Sequence, residues 1–273
     1  MKFLICVAFH YPNNHVNYLY SVIDNIMLTY TCYKRICVDT NSYEAKNLLE
    51  YKYKDYIGFE LEIIVHDNLE DPFFLTSVHR DYIFKHINNY DLVMYSEDDI
   101  LVTYNSILDF LDKLKDLWPK YIPCFKRCEY SKIKKQHAFL DVEGKQTIKY
   151  TDIIEINNKK YFTPTYPNSA YQACWILPTK LLLECMDLKG FLNKTTYREH
   201  MASYTLGPPP YHIYDNTYLG TDFLNKIPLF ELNKENQIHN NCLIFHLENC
   251  HVDIVYPSYF DWCFINDLII MKK

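Results

Sequence analysis

The chain has 273 residues, 49% of them hydrophobic and 16% aromatic, with a formal net charge of -6 and a pI near 6.0. That length suits one large α/β domain, or one and a half smaller ones, with a real core. The charge includes no basic block, so neither nucleic acid nor an anionic membrane is a natural partner, and no apolar run reaches the length of a membrane span.

Ten cysteines are scattered without CxxC pairs, several of them inside apolar runs (Cys6, Cys37, Cys174). This suits buried reduced thiols better than a disulfide framework or a zinc site, and a cytoplasmic or otherwise reducing location is the expectation. The apolar start MKFLICVAF is too short for a signal peptide and turns polar at His10–Asn14. It reads as a first strand, Lys2–Phe9.

Val16–Tyr30 carries Leu19, Val22, Ile23, Ile26 and Met27 at helical spacing. Arg35–Val38 is a second strand ending at Asp39-Thr40-Asn41, followed by a helix through Ala45–Tyr51. A third strand, Leu61–Val65, ends at His66-Asp67-Asn68. Leu75–Asn88 is helical again, with Val78, Tyr82, Ile83 and Ile87 on one face.

Then comes Asp91–Leu101, DLVMYSEDDIL, an apolar run leading into Glu97, Asp98 and Asp99. Such a run reads as a strand buried on both faces, which belongs to a helix-covered parallel sheet. Three like charges this close are costly without a cation. A hard divalent ion takes one or two carboxylates and completes its shell with water and phosphate oxygens, so the cluster points to a metal and a phosphorylated ligand. The competing reading is a solvated loop in which Asp98 or Asp99 caps the next helix, Ser106–Leu117. Four strands, each followed by a helix or crossover, imply right-handed βαβ units whose C-terminal edge is the working edge. No GxGxxG and no Walker A loop follows the first strand.

The second half changes character. Ile122–Glu129, Thr147–Ile156 and Tyr161–Thr165 are β-like, and Asn157-Asn158 reads as a hairpin turn. Tyr171–Leu177 is another apolar strand, Pro178-Thr179 opens a helix over Lys180–Met186, and Cys242–Phe245 is a last strand ending at His246.

This order of parts resembles the GT-A glycosyltransferases, nucleotide-sugar-dependent enzymes with a DxD-type metal motif. The features that carry the resemblance are the βα half ending in an acid cluster (here EDD), the mixed β half after it, and a histidine behind a late strand. YSEDDI, Ser77-Val78-His79-Arg80, CFKRCEY and IFHLEN resemble a branch of such enzymes with a YxEDD core. The resemblance implies an α/β fold: one GT-A-like domain with a Rossmann-like, mainly parallel sheet flanked by helices and a mixed C-terminal half. Residues 1–120 would form the nucleotide-sugar-binding half and 121–273 the acceptor-binding half.

Residue by residue, it implies Asp99 as the direct Mn²⁺ or Mg²⁺ ligand, with Glu97 and Asp98 holding metal-bound water or donor hydroxyls. His246 would complete the metal shell, with His251 as its competitor, and an imidazole favours manganese. Arg80 would face the donor diphosphate, its alternative being a solvated helix charge. His10, Tyr11, Pro12 and Asp39 would hold the base and ribose.

An inverting enzyme also needs a carboxylate base. Glu199 and Asp222 are the leading candidates and Asp215 a third. Arg127 and Glu129 would line an acceptor pocket unless they form a surface ion pair. Trp175 is an acceptor-platform candidate that a core position explains as well.

The expected activity is transfer of a sugar from a UDP- or GDP-sugar to a hydroxyl of a glycan or glycoconjugate. The alternatives are a nucleotidyltransferase or sugar-phosphate pyrophosphorylase, and a non-catalytic nucleotide- or carbohydrate-binding module. Whether the chain forms homo-oligomers stays open.

Overall fold

The computed structural model describes residues 1–11, 15–29, 32–143, 147–149, 153–162, 173–186, 227–235, 237–248, 262–264 and 269–271. Along the chain these form β1 (Lys2–Phe9), α1 (Val16–Thr29), β2 (Tyr33–Thr40), α2 (Tyr43–Tyr53), β3 (Glu60–Val65), α3 (Leu75–His86), β4 (Leu92–Glu97), β5 (Ile100–Leu101) and α4 (Tyr104–Leu117). They continue with β6 (Tyr121–Pro123), β7 (Lys126–Ser131), β8 (Gln136–Glu143), β9 (Thr147–Lys149), β10 (Ile153–Ile156), β11 (Lys159–Phe162), β12 (Cys174–Pro178) and α5 (Thr179–Met186). Last come β13 (Ile227–Leu232), β14 (Leu243–His246), β15 (Trp262–Phe264) and β16 (Ile269–Met271). The described residues fall into two compact units, one drawn from 1–100 and 173–186, the other from 101–162 and 227–271.

The first unit is a five-stranded sheet in the order β12-β4-β1-β2-β3. β1 pairs in parallel with β2 and β4, and β2 with β3, while β12 lies antiparallel along β4. Phe3 to Phe9 are all buried, and so is every residue of β4. Both strands have a neighbour on each side, and their unbroken apolar runs are what burial on two faces demands. α1 turns Leu19, Val22, Ile23 and Ile26 into the core, the stripe expected from their spacing. α2 starts where the Ser42 side chain accepts the Glu44 and Ala45 N–H groups at 3.1 and 3.4 Å. Eight of the twelve α3 residues are buried, so α3 is an interior helix rather than a half-solvated one.

The second unit is mixed. One sheet runs β10-β11-β13-β6 with β13 parallel to β6, and another runs β15-β8-β7-β14 with β14 parallel to β7. β10 and β11 form the expected hairpin, and Asn157 and Asn158 both take positive φ, 49° and 63°. Two left-handed residues in sequence define the turn whose twist matches an antiparallel pair, and asparagine tolerates that conformation.

The apolar run within Asp91–Leu101 forms the expected buried strand, Leu92–Glu97, with the acids at its C-terminal end. Asp98 and Asp99 form a turn, closed by the Ser96 hydroxyl on the Ile100 carbonyl at 3.3 Å, before β5. The competing reading is corrected, since neither aspartate caps the next helix. That cap is Thr103, whose Oγ1 accepts the Ser106 N–H at 3.1 Å.

Candidate functional site

In the first unit the strand order reverses at β1, because the chain builds outward through β2 and β3 and then returns to place β4 on the other side. At such a switch point the connections leaving two adjacent parallel strands diverge, and a crevice opens beyond their C-terminal ends. The described residues leaving β1 and β4 there are His10 and Tyr11, and Glu97 to Asp99. In the sheet register Ala8 lies opposite both Glu97 and Asp39. One row therefore carries Glu97, Ala8 and Asp39, its two acids on strands either side of β1, about 10 Å apart at the backbone.

Glu97 and Asp99 are 4% and 5% exposed. The Glu97 N–H donates to the Ala173 carbonyl at 2.9 Å, which anchors the start of the acid turn to the chain entering β12. His15, just before α1, comes within 3.8 Å of the Asp98 carboxylate through its Nδ1, and one of its ring nitrogens lies within 4.8 Å of an Asp99 carboxylate oxygen. The His15 carbonyl accepts from the N–H groups of Tyr18 and Leu19 at 2.8 and 3.0 Å, and its ring meets the Tyr18 ring edge-on at 5.3 Å. Oxygen donors with one imidazole form a set that a hard or borderline divalent cation accepts.

Asp39 is 1% exposed. Its Oδ1 lies 2.8 Å from His66 Nε2, while Oδ2 is buried without a hydrogen-bond partner among the described residues. Burial pushes this carboxyl above its ordinary value, and the His66 ring partly opposes the shift. The Tyr11 N–H donates to Asn41 Oδ1 at 2.6 Å, and Asn41 Nδ2 returns a bond to the Tyr11 carbonyl. This reciprocal pair ties the segment after β1 to the segment after β2. A bond to Glu44 raises the Tyr11 hydroxyl, and its ring stands edge-on to Phe9 at 6.2 Å. His10 is half-buried beside it.

Arg80 is 2% exposed, which rules out the solvated helix charge. Its neighbour His79 is fully buried, stacked on Tyr95 at 3.9 Å and 18°, with Trp175 6.0 Å away. Neither His79 ring nitrogen has a hydrogen-bond partner of good geometry. Burial first, then the Arg80 charge, holds this imidazole well below its ordinary value, with the Thr76 backbone opposing only in part. Trp175 is 0% exposed, and its ring surface is taken up by the first unit's own core.

In the second unit His246 closes β14 and Glu129 sits on β7, both buried, with His246 Nδ1 2.5 Å from Glu129 Oε1. A carboxylate on one ring nitrogen fixes the tautomer and orientation of the imidazole. Arg127 is also buried, so neither Arg127 nor Glu129 lies at the surface. Elsewhere in this unit Lys113 is 1% exposed, bonded to Asp109, 2.7 Å from a Glu231 carboxylate oxygen and 3.4 Å from Cys242 Sγ. Pro12, Glu199, Asp215, Asp222 and His251 lie outside the described residues.

The residues not singled out from sequence are His15, His66, His79 and Lys113. His15 directly follows the polar cluster after the first strand, and His66 ends the third strand, so position alone marked both. Nothing local marks a buried lysine.

No family model matches the chain, and no curated protein does. Among solved structures, one similarity is to TarS 1–349 of S. aureus, at 11% identity over 74% of this chain and 54% of that one, with a TM-score of 0.42. Another is to the mannosyltransferase PcManGT of Pyrobaculum calidifontis in complex with GDP-Man and Mn²⁺, at 12% identity over 46% and 35%, with a TM-score of 0.34. A third is to 4-diphosphocytidyl-2C-methyl-D-erythritol synthase of Anaerococcus prevotii, at 10% identity over 74% and 82%, with a TM-score of 0.36. The chain thus spans about half the length of the TarS fragment. Scores below 0.5 do not establish a shared fold.

Proposed function

We propose that the protein is a divalent-metal-dependent glycosyltransferase that moves a hexosyl group from a UDP- or GDP-sugar to a hydroxyl of a glycan or glycoconjugate. The observation that carries this reading is the pair of buried carboxylates, Glu97 and Asp99, in a turn at the topological switch of a parallel sheet, in one row with buried Asp39. Mn²⁺ or Mg²⁺ fits a donor set of two carboxylates and an imidazole, and when bound it supplies stabilisation of the negative charge that builds on the departing diphosphate.

The chain's own residues do the rest. Asp39, with one oxygen held by His66, offers its second oxygen to an N–H or O–H of the nucleoside. Asn41 holds the Tyr11 segment against that position, and His10 and Pro12 belong to the same segment. Arg80 contributes a guanidinium charge behind the acid strand. His246, with Nδ1 engaged by Glu129, keeps Nε2 for coordination. Glu199 or Asp222 takes the acceptor proton, and Arg127 lies on the strand that carries Glu129.

The test is thermal stability with a panel of nucleoside diphosphates, with and without Mn²⁺, on the wild type and on Asp99→Ala. A ligand at a hundred times its Kd adds about 2.7 kcal/mol, or roughly 5–10 °C at about 2–4 °C per kcal/mol for a chain of this size. The expected result is a Mn²⁺-dependent shift with UDP or GDP that Asp99→Ala abolishes, followed by release of that nucleotide from its sugar conjugate. Absence of a shift with every nucleotide refutes the reading, and binding without turnover reduces it to a binding module.

A further inference from the structure

We infer that His15 is an imidazole ligand of the cation at the acid turn, and that it biases this site toward Mn²⁺ over Mg²⁺. The inference rests on the acid-turn reading above and adds a residue and a selectivity to it. Its basis is geometry within the first unit. His15 Nδ1 is 3.8 Å from Asp98 Oδ2, and a ring nitrogen lies within 4.8 Å of an Asp99 carboxylate oxygen. Two atoms each about 2.1 Å from a common ion stand no more than about 4.2 Å apart, so a small χ rotation of His15 or Asp99 closes the remaining gap.

The backbone beneath the imidazole is already ordered. The His15 carbonyl takes the Tyr18 and Leu19 N–H groups in the first turn of α1, and the Tyr18 ring braces the imidazole edge-on. His15 and Asp98 have 19% and 14% of their side chains exposed, enough for an ion and its waters to enter. Asp99 is 5% exposed, and a carboxylate in that setting interacts with a neighbouring cation more strongly than one in bulk water does.

The chemistry then sets the metal. Mg²⁺ demands octahedral oxygen ligands and keeps its waters, whereas Mn²⁺ accepts an imidazole nitrogen among oxygens. A site with His15 in the shell binds Mn²⁺ with a nitrogen contact that Mg²⁺ gains little from.

The experiment uses the full chain. Mn²⁺ affinity is read from loss of the free-ion EPR signal, Mg²⁺ affinity by competition, and nitrogen coordination from the ¹⁴N modulation in pulsed EPR of bound Mn²⁺. His246 is a second imidazole candidate, so the modulation is measured at saturating Mn²⁺ in His246→Ala and in His15→Gln with His246→Ala. The expected result is modulation in the first variant and none in the second. His15→Gln should lower Mn²⁺ affinity on the order of 10–100-fold, at least the loss typical of a residue one shell further out, with little change for Mg²⁺. The metal-free melting midpoint of His15→Gln should match the wild type.

Mn²⁺ binding that needs Asp99 but shows no modulation in His246→Ala overturns the role of His15 and leaves the acid turn as a cation site. No Mn²⁺ binding by the wild type overturns the acid-turn reading and this inference with it.

Discussion

Burying His79 in the first unit makes that unit acid-sensitive by a definite amount. Its ring is fully enclosed between Tyr95 and Trp175, and burial keeps it neutral in the fold. The unfolded chain takes up a proton near the ordinary value of 6.5, so unfolding binds a proton that the native state refuses. A folded value below the unfolded one means that the penalty is absent above about pH 7 and grows as pH falls. For one such group the loss is about 1.2 kcal/mol between about pH 6 and pH 5, and approaches about 1.4 kcal/mol per pH unit below that.

His79→Phe keeps a ring on Tyr95 and removes the titrating group. Its stability relative to wild type should therefore rise by about 1.2 kcal/mol over that pH step. At pH 8 the variant should be about as stable as wild type, because the two buried ring nitrogens, which have no well-formed hydrogen bond among the described residues, disappear. The assay is urea unfolding followed by Trp175 fluorescence, with the other two tryptophans replaced by Phe so that only the first unit reports. A gap between the two proteins that stays constant from pH 8 to pH 5 refutes the reasoning.

Asp39 titrates in the opposite sense. Its carboxyl is held above its ordinary value, so the neutral form suits the fold, and its contribution to stability is lost as pH rises through the raised value. Asp39→Asn should gain stability over wild type as pH is raised from about 4 toward neutrality, and lose the Mn²⁺-dependent nucleotide shift; retention of that shift removes Asp39 from the site. In the second unit burial pulls the Lys113 ammonium down, but Cys242, Asp109 and Glu231 outweigh it and hold it above its ordinary value. That stability is complete below about pH 10 and falls only at more alkaline pH. Lys113→Met should cost about 3–5 kcal/mol by stranding two carboxylates, and adding Asp109→Asn and Glu231→Gln should recover most of it. A single-variant cost under about 1 kcal/mol in denaturant titrations would show that the pair is solvated.

Much of the first unit was legible in the sequence because it is built from local signals. Lys2–Phe9 has the observed bounds, and the helices at Val16 and Leu75 are set by apolar spacing among residues close in the chain. What was not legible is non-local. The run Cys174–Pro178 looks like any buried strand, and nothing in it tells that it lies antiparallel along β4. β8 and β13 were missed because their burial depends on partners far along the chain, such as β7, β11 and β6.

The same division runs through the site. The acid cluster announces itself by composition, and Asp39 by ending a strand. The partner of His246 is 117 residues away on β7, so Glu129 was placed in an acceptor pocket rather than on the histidine. The company of a lone histidine is a property of the fold, and only coordinates separate His15 at the acid turn from His79 in the core.

The charges of the first unit sit where ordinary folding does not explain them. The chain has 34 acidic residues, and most can face water at no cost. Yet Asp39, Glu97 and Asp99 are all buried, and all emerge from strand ends at one edge of one sheet. Removing a carboxylate from water is unfavourable unless hydrogen bonds or a cation replace the lost solvation. Asp39 receives one such contact, from His66, and leaves its other oxygen buried without one. A fold selected for stability alone would fill that row with apolar residues, as the lower rows of the same strands are filled by Ile5, Ile36 and Met94. The change from apolar to acidic along the strands falls where the proposed function sets the metal and the nucleoside, and on that proposal a cation beside the acid turn and a donor group on the second Asp39 oxygen add stabilisation when bound.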